Sequence, residues 1–432
     1  MRRESSRPWG VAVGAVLASL VVAPATASAW VIDEDELEET STTVGAVMRS
    51  FAFVLAGDVL EPPYLPESEN PTAMGLFDAR LYFEHRASRW KIVAHEQLTL
   101  RLSSHAAGGP LSFGRGLRPP RWLPLTFSYD RPTLDLVSDL DWLYGSYSVG
   151  PVTFTVGRQP ITFGRGTLWR TTDRISTFAL TEVDRSYKPG ADAIRIDIDP
   201  SDSTSLSLLA AVGERESDLD GQISLGGSSF VARFRQGWDG GEIGATGGFV
   251  RYDGLVGVDG LLDFGSFDLY GEVAATWVTD RSLSTPVVTD HGIPVMSAVL
   301  GATFKPVGAL TLTPEVAYNG FGSFDPGDYL AIFASQRVGI GEQLGVGRLY
   351  AGLNQIFEIT PLTHLFGATM LNLHDPSGLF LVGIDRDLAE NVRAVLGGYA
   401  PVGRRPDVRA LSAQSEYGNY PYFFFFELKA TL

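Results

Sequence analysis

The chain has 432 residues, of which 44% are hydrophobic, 11% aromatic and 19% charged, with a formal net charge of −16 and no cysteine. The acidic balance disfavours a general nucleic-acid binder, which needs a basic face for phosphates. Without cysteine there is no disulfide framework and no thiolate-ligated metal site, and the apolar content is too high for a disordered chain.

The first feature in chain order is a targeting segment. Arg2, Arg3 and Arg7 precede the apolar run Val11–Val22, and Pro24 and Ala27-Ser28-Ala29 follow it. A basic start, a short apolar core and an A-x-A-like end read as a cleaved secretory signal over residues 1–29. The run is too short for a spanning helix, which needs about 20 apolar residues. Cleavage after Ala29 takes Arg2, Arg3, Glu4 and Arg7 away, leaving a net charge near −18. Residues 30–43, with the acidic run Asp33–Glu39, are expected as a mobile, solvated N-terminal segment ahead of one domain over 44–432.

From residue 44 onward, segments of about ten residues alternate apolar and polar, with Gly, Pro, Asp and Asn between them. Phe77, Ala79, Leu81, Phe83 and His85 share one face of a strand; Asp78, Arg80, Tyr82, Glu84 and Arg86 share the other. Ile194, Ile196 and Ile198 alternate with Arg195, Asp197 and Asp199 in the same way. Strand side chains point to opposite sheet faces in turn, so each segment has one greasy and one charged face. A soluble sandwich buries the greasy face, whereas a membrane barrel turns it toward lipid and the charged face toward a wet lumen. The export signal, the many long strands and an alternating C-terminal segment, Tyr422–Leu432, favour the barrel.

Eighteen segments can be marked, from 44–56 and 75–86 to 390–400 and 422–432. That is an even number, as a single-chain barrel with both ends on one side requires. The connections alternate between short turns and long stretches such as 103–138, 159–189, 320–345 and 401–421. Residues 328–338 have β-like character, but a strand there would break this parity, so they are expected inside a long loop. The expected fold is an all-β transmembrane antiparallel β-barrel of about 18 strands, in a Gram-negative outer membrane.

The stretch Val156-Gly-Arg-Gln-Pro-Ile-Thr-Phe-Gly-Arg-Gly-Thr-Leu-Trp169, then Asp173, then Lys188-Pro-Gly-Ala-Asp-Ala-Ile-Arg195, resembles the alginate-export-like group of outer-membrane porins. Thr360-Pro361, Leu371-Asn372, Asp375-Pro-Ser-Gly378 and Ser415-Glu-Tyr-Gly418 are similar to that group as well. The resemblance is sharp over about 40 residues near 156–195. It implies an 18-stranded outer-membrane channel and leaves the solute open.

Residues 159–189 are the expected constriction or solute-binding loop. The candidates are Arg158, Arg165, Arg170, Asp173, Arg174, Glu182, Asp184, Arg185, Lys188 and the nearby Arg195. A long loop of mixed charge can fold into a lumen and set pore size and field, and the planar guanidinium suits carboxylates and phosphates. From Arg158 to Lys188, six basic residues stand against three acidic ones, so a weak preference for anions is expected. Charges on the inward face, such as Arg80, Glu84, Arg101, Asp197, Glu272, Glu315 and Arg393, are read as paired ions lining a wet wall. Trp142, Tyr144, Trp169, Trp277 and Phe423–Phe426 are read as membrane-interface girdles. Glu96 falls in phase with Ile92, Ala94, Leu98 and Leu100, on the face assigned to lipid; only a bulge or a place near the headgroups would relieve it.

His85, His95 and His105 lack metal-binding spacing, and Asp218-Leu-Asp220 and Asp325-Pro-Gly-Asp328 lack an EF-hand pattern. No nucleophile motif lies in a strand–helix context. The function expected is therefore passage of hydrophilic solutes, anionic ones among them, through an outer-membrane channel, with no chemistry, metal or cofactor. A polyuronate exporter and an outer-membrane lipid hydrolase are the alternatives. The partners expected are outer-membrane lipids and a small or oligosaccharide solute, with a monomer favoured.

Overall fold

The computed structural model describes residues 30–35, 39–57, 72–104, 119–131, 133–176, 187–214, 222–279, 285, 287–288, 292–339, 341–342, 345–407 and 410–432. The expected signal segment lies outside them, as do Glu182, Asp184 and Arg185.

Twenty strands form one sheet. In chain order they begin with β1 (Trp30–Asp35), β2 (Thr40–Ala56), β3 (Thr72–Arg86), β4 (Trp90–Ser103), β5 (Thr126–Arg131), β6 (Leu134–Val149) and β7 (Val152–Gln159). There follow β8 (Ala191–Ser201), β9 (Thr204–Ala211), β10 (Ser229–Trp238), β11 (Gly241–Val250), β12 (Asp253–Asp263) and β13 (Phe267–Trp277). The last are β14 (Val295–Val307), β15 (Leu310–Asn319), β16 (Leu349–Thr360), β17 (Thr363–Asn372), β18 (Ser377–Ala389), β19 (Val392–Val402) and β20 (Tyr422–Thr431). Each pairs antiparallel with its neighbours, and β20 returns to β2 with Val47 opposite Thr431 and Ala56 opposite Tyr422. Without β1 and β5, eighteen strands form a closed antiparallel barrel, as the alternation and loop parity predict.

Closure has a simple cause: a sheet edge left open toward lipid would strand a row of backbone N–H and C=O groups. The outward face is apolar around the ring, including Leu81, Val156, Ile194, Val258, Leu300, Val382 and Phe424, all exposed. The inward face carries the buried Asp78, Arg80, Asp141, Asp259, Glu272 and Glu315. An apolar surface this continuous is what a barrel presents to hydrocarbon.

The structure departs from the sequence reading in four places. Residues 30–35, expected within a loose segment, form β1 and pair with the start of β2, Trp30 opposite Val44. A further strand, β5, lies inside the expected long loop 103–138 and pairs with the upper part of β6, which therefore starts at Leu134. β6 also carries a bulge, because the register passes from His95–Trp142 to Glu96–Leu140. The extra residue, Asp141, points inward beside Trp142, as a bulge allows. Glu96 is not relieved by it: β4 keeps its phase, and Glu96 stays on the outer face with the Ser138 hydroxyl donating to it at 2.5 Å. Finally, only alternate residues of Phe423–Phe426 face out. Phe424 is exposed while Phe425 is buried, stacked at 5.5 Å on Phe51. Residues 328–338 hold short helical turns, Tyr329–Phe333 and Gln336–Gly339, within the long connection after β15.

A cation placed on the outward face tests its orientation. Val382→Arg, near the middle of β18, should lower folding stability in lipid vesicles by about 2–4 kcal/mol, measured by urea unfolding.

Candidate functional site

β7 ends where Gly157-Arg158-Gln159-Pro160 turns the chain off the wall, and Gly157 adopts a positive φ of 123°. A Cβ there would stand 2.2 Å from the Leu143 carbonyl oxygen, so only glycine fits. The chain then crosses the lumen. Six steps round the ring from β7, Glu272 on β13 accepts hydrogen bonds from the backbone N–H groups of Arg165, Gly166, Thr171 and Thr172. Both threonine hydroxyls add to these, at 3.3 and 3.0 Å. Farther round, Glu315 on β15 accepts from the N–H groups of Thr167, Leu168 and Trp169, and from the Tyr270 hydroxyl at 2.6 Å.

Two buried carboxylates therefore hold seven loop amides. Neither makes an ion pair among the described residues; aligned N–H dipoles take the place of a counter-charge. Gly164, at φ 78°, and Gly166 make the turn tight enough. A Cβ on Gly164 would lie 2.8 Å from the Glu272 carboxylate, and one on Gly166 would lie 1.7 Å from the Trp169 carbonyl oxygen. Trp169 packs against Tyr350, ring centroids 5.6 Å apart, and over Gly352. It is a lumen residue, not part of a girdle.

The basic residues of this segment fall into two groups. Arg158 is fully buried in the wall: Nε donates to Asp192 at 2.7 Å, and the terminal nitrogens donate to the Leu123 carbonyl at 2.6 Å and Asp139 at 3.3 Å. Arg165 is taken up by Asp259, at 3.2 Å, and by Glu242. Lys188 pairs with the fully buried Asp173 at 2.5 Å. Burial pushes the Asp173 carboxyl above its ordinary value and the Lys188 ammonium below its own. Arg174 pairs with Glu342 at 2.9 Å. On the wall, Arg195 pairs with Asp197 at 2.7 Å. Arg170 differs: its Nε donates to the Gly166 carbonyl at 2.8 Å, its terminal nitrogen stands 3.8 Å from Asp173, and 28% of its side chain is open to the lumen.

Other groups complete the lumen; of these Arg49 and Arg121 have no signal of their own in the sequence, whereas Asp78 and Arg80 follow the alternation of β3. Arg121 reaches in from 119–125 to Asp139 at 2.6 Å and Asp141 at 2.5 Å. Arg49 pairs with Asp78 at 3.0 Å, and Arg80 with Asp141 at 2.9 Å. Together with Gln97, Tyr187 and Pro189 they line a recess of about 100 Å³. Trp142, read as a girdle residue, points into this region, stacked 4.4 Å from the His95 ring and donating to the Lys188 carbonyl. Beside this recess, along β2, β19 and β20, the inner wall is apolar, with Phe51, Phe53, Tyr399, Phe423 and Phe425 packed together.

A second connection, 320–348, also turns inward. Arg337 is fully buried between Asp253, at 2.9 Å, and Glu342, at 2.6 Å. Glu342 in turn holds Arg174, so it joins the two inward loops. The connection after β19 locks onto this assembly through Glu416. That carboxylate accepts from the Val346 and Gly347 N–H groups, the Tyr350 hydroxyl and Asn372 Nδ2. The Glu416 N–H itself donates to Asp375. Full burial outweighs these donors and pushes the Glu416 carboxyl up to about 7.

With a folded-state pKa above the ordinary 4.5, Glu416 contributes stability that is complete below about pH 4.5 and lost as pH rises through about 7. The connection 403–421 should therefore dock more tightly at pH 5 than at pH 8. Hydrogen exchange at Val346 and Gly347, corrected for intrinsic rates, should show about tenfold or more loss of protection across that interval. Glu416→Gln should abolish the difference.

No family model matches the sequence, and no curated protein matches it. Solved structures do match the fold. OccK8 (OprE) of Pseudomonas aeruginosa superposes with a TM-score of 0.54 at 8% identity, covering 90% of this chain and 98% of its own. The BenF-like porin of Pseudomonas fluorescens Pf-5 has a TM-score of 0.53 at 8% identity, with the same coverage. OccAB4 of Acinetobacter baumannii has a TM-score of 0.52 at 8% identity, again over 90% and 98%. The alginate-export group is not among the likenesses these comparisons show. At this identity the shared property is architecture: the chain has the closed 18-stranded barrel of OprD/Occ-type outer-membrane porins.

Proposed function

We propose that this protein is an outer-membrane channel through which small hydrophilic solutes diffuse, narrowed by the loop 160–190 and weakly favouring anions. The observation that carries the narrowing is the anchoring of the loop's own amides on Glu272 and Glu315, across the barrel from β7. The short turns then lie in the periplasm and the long connections outside the cell.

The preference for anions rests on depth, not on count. The ion pairs are neutral as pairs, but their two ends are unequally exposed. Side-chain exposure is 28% for Arg170 against 0% for Asp173, and 24% for Arg121 against 3% for Asp141. Arg49, at 26%, likewise stands in front of Asp78, at 10%, and Glu427, at 3%. A passing solute meets guanidinium groups while the carboxylates sit behind them, and a fixed charge in a narrow pore acts through a lower dielectric than one on an open surface. Carboxylated solutes suit such a lining because guanidinium binds carboxylate in a bidentate way. Screening over about 8 Å at physiological salt keeps the preference modest.

Purified protein in planar bilayers tests the reading. Stable ion conductance is expected, and its absence together with lipid hydrolysis would give the role to an enzyme. In a salt gradient the wild type should be mildly anion-selective, and Arg170→Ala should move the reversal potential toward cation selectivity. Arg158→Ala should act on folding instead, by about 3–5 kcal/mol, since it leaves Asp192 buried without its partner. Cation selectivity in the wild type, or an unchanged potential in Arg170→Ala, would remove the loop from the selectivity mechanism.

A further inference from the structure

One edge of β2 is covered by β3, from Ser41 to Leu55. The other edge is shared by two strands. β20 covers it from Ala56 down to Val47, and Leu432 carries the pairing one residue further. The Leu432 N–H donates to the Ala46 carbonyl at 2.6 Å, and its own carbonyl accepts from the Ala46 N–H at 2.9 Å. β1 takes up the same edge at Val44 and follows it to Thr40. Both run antiparallel to β2, so they point the same way, β1 below β20. Together they make one wall strand, broken opposite Gly45 at the short-turn end of the barrel.

The break is one residue long. Leu432 and Trp30 face residues two apart on β2, which sets their Cα atoms about 7 Å from each other. A chain entering β1 along this edge would need residue 28 where Leu432 stands. Ala46 uses both of its main-chain groups on Leu432. By antiparallel alternation Gly45 then turns its own toward Tyr82 on β3, and Val44 turns its own toward Trp30. The break therefore leaves no main-chain group of β2 unpaired. The Leu432 main-chain oxygen stands over it: a Cβ on Gly45 would lie 2.7 Å from that oxygen.

We infer that hydrolysis of the Ala29–Trp30 bond creates the group that fills this break, the α-ammonium of Trp30. A leader peptidase adds water across the bond, so the Ala29 carbonyl carbon gains the hydroxyl and the Trp30 nitrogen gains the hydrogen. The acid formed at Ala29 gives its proton to the new amine. An amide nitrogen before Trp30 carries one hydrogen, and the Val44 carbonyl takes it. An ammonium carries three, so it serves the Val44 carbonyl and the Leu432 oxygen together, through charge-assisted bonds. Removal of the leader thus closes the periplasmic rim, and the new chain start is a structural group of the wall. The inference rests on export of the chain and is independent of what the channel carries.

The test exports the full precursor and uses the folded barrel purified from membranes. Its intact mass should place the first residue at Trp30. Pairing holds the proton on the amine and lowers its reactive neutral fraction, so acetic anhydride at pH 8 should acetylate it about tenfold more slowly in the folded barrel than in urea. A variant with Gly-Ser-Gly inserted between Ala29 and Trp30 keeps the cut after Ala29 but moves the amine out of the break. That amine should react at the unfolded rate. The Val44 amide should lose about tenfold in protection from hydrogen exchange, while Val54, higher on the same edge, keeps its own. Heat-modifiable migration on gels shows whether each form is folded; should the extended chain not fold, the two wild-type acetylation rates decide. A different first residue overturns the cut at Ala29, and equal folded and unfolded rates in wild type overturn the contact. Unchanged Val44 protection in the extended barrel overturns the closing role. A chain that keeps residues 1–29 and stays in the inner membrane overturns export itself.

Discussion

Hydrocarbon offers no partner for a backbone N–H or C=O, so each strand in the wall needs a strand on either side, and the sheet has to close. The pairing of β2 with β20 closes it, and it joins the first long strand to the last across nearly the whole chain. Most of the remaining architecture follows from that closure. Once the ring is shut, the two faces of each strand meet different solvents, and period-two alternation becomes a division between lipid and lumen. The short turns and long connections are then sorted to opposite ends by parity alone.

A polar interior creates its own problem, because charge lining a lumen must be solvated or paired. Here buried acids of the wall are covered by arginines from the inward loops and from strands one place farther round the ring. Asp259 is shared by Arg165 and Arg233, and Asp141 by Arg80 and Arg121. This layering lets a strongly acidic chain present basic groups to its lumen. Net charge therefore says little about the pore, and the order of burial within each pair says much more.

Glu272 and Glu315 show a different use of buried carboxylates. They hold backbone amides, which present no net charge, and so fix the path of a loop without adding a cation to the lumen. Arg174 and Arg337, joined through Glu342, then tie that loop to the connection after β15. The interior is a set of loops hung from the wall by carboxylates, with an aromatic patch on β2, β19 and β20 beside the charged recess of β2, β3 and β6.

Alternation and turn residues are enough to establish the barrel, the approximate positions of its eighteen wall strands and the grouping of its short and long connections at opposite ends. These are local properties: alternation is imposed on every strand by its own two solvents, and turn residues act within a few positions of themselves. The bulge at Asp141 was not legible, because one inserted residue leaves the alternation of Leu134–Val149 no more irregular than its neighbours. Phe423 and Phe425 share the parity of Glu427 and Lys429, which puts them inward, although the unbroken aromatic run reads as a girdle. The course of loop 160–190 was hidden for a larger reason. Its anchors, Glu272 and Glu315, lie 107 and 148 residues from the amides of Arg165 and Thr167, and in the sequence they look like any lumen-facing charge. Which arginines stay open to a solute depends on which acid stands behind each one across the ring. Only the closed tertiary structure decides that, because pairing and burial are set by what faces a side chain across the barrel.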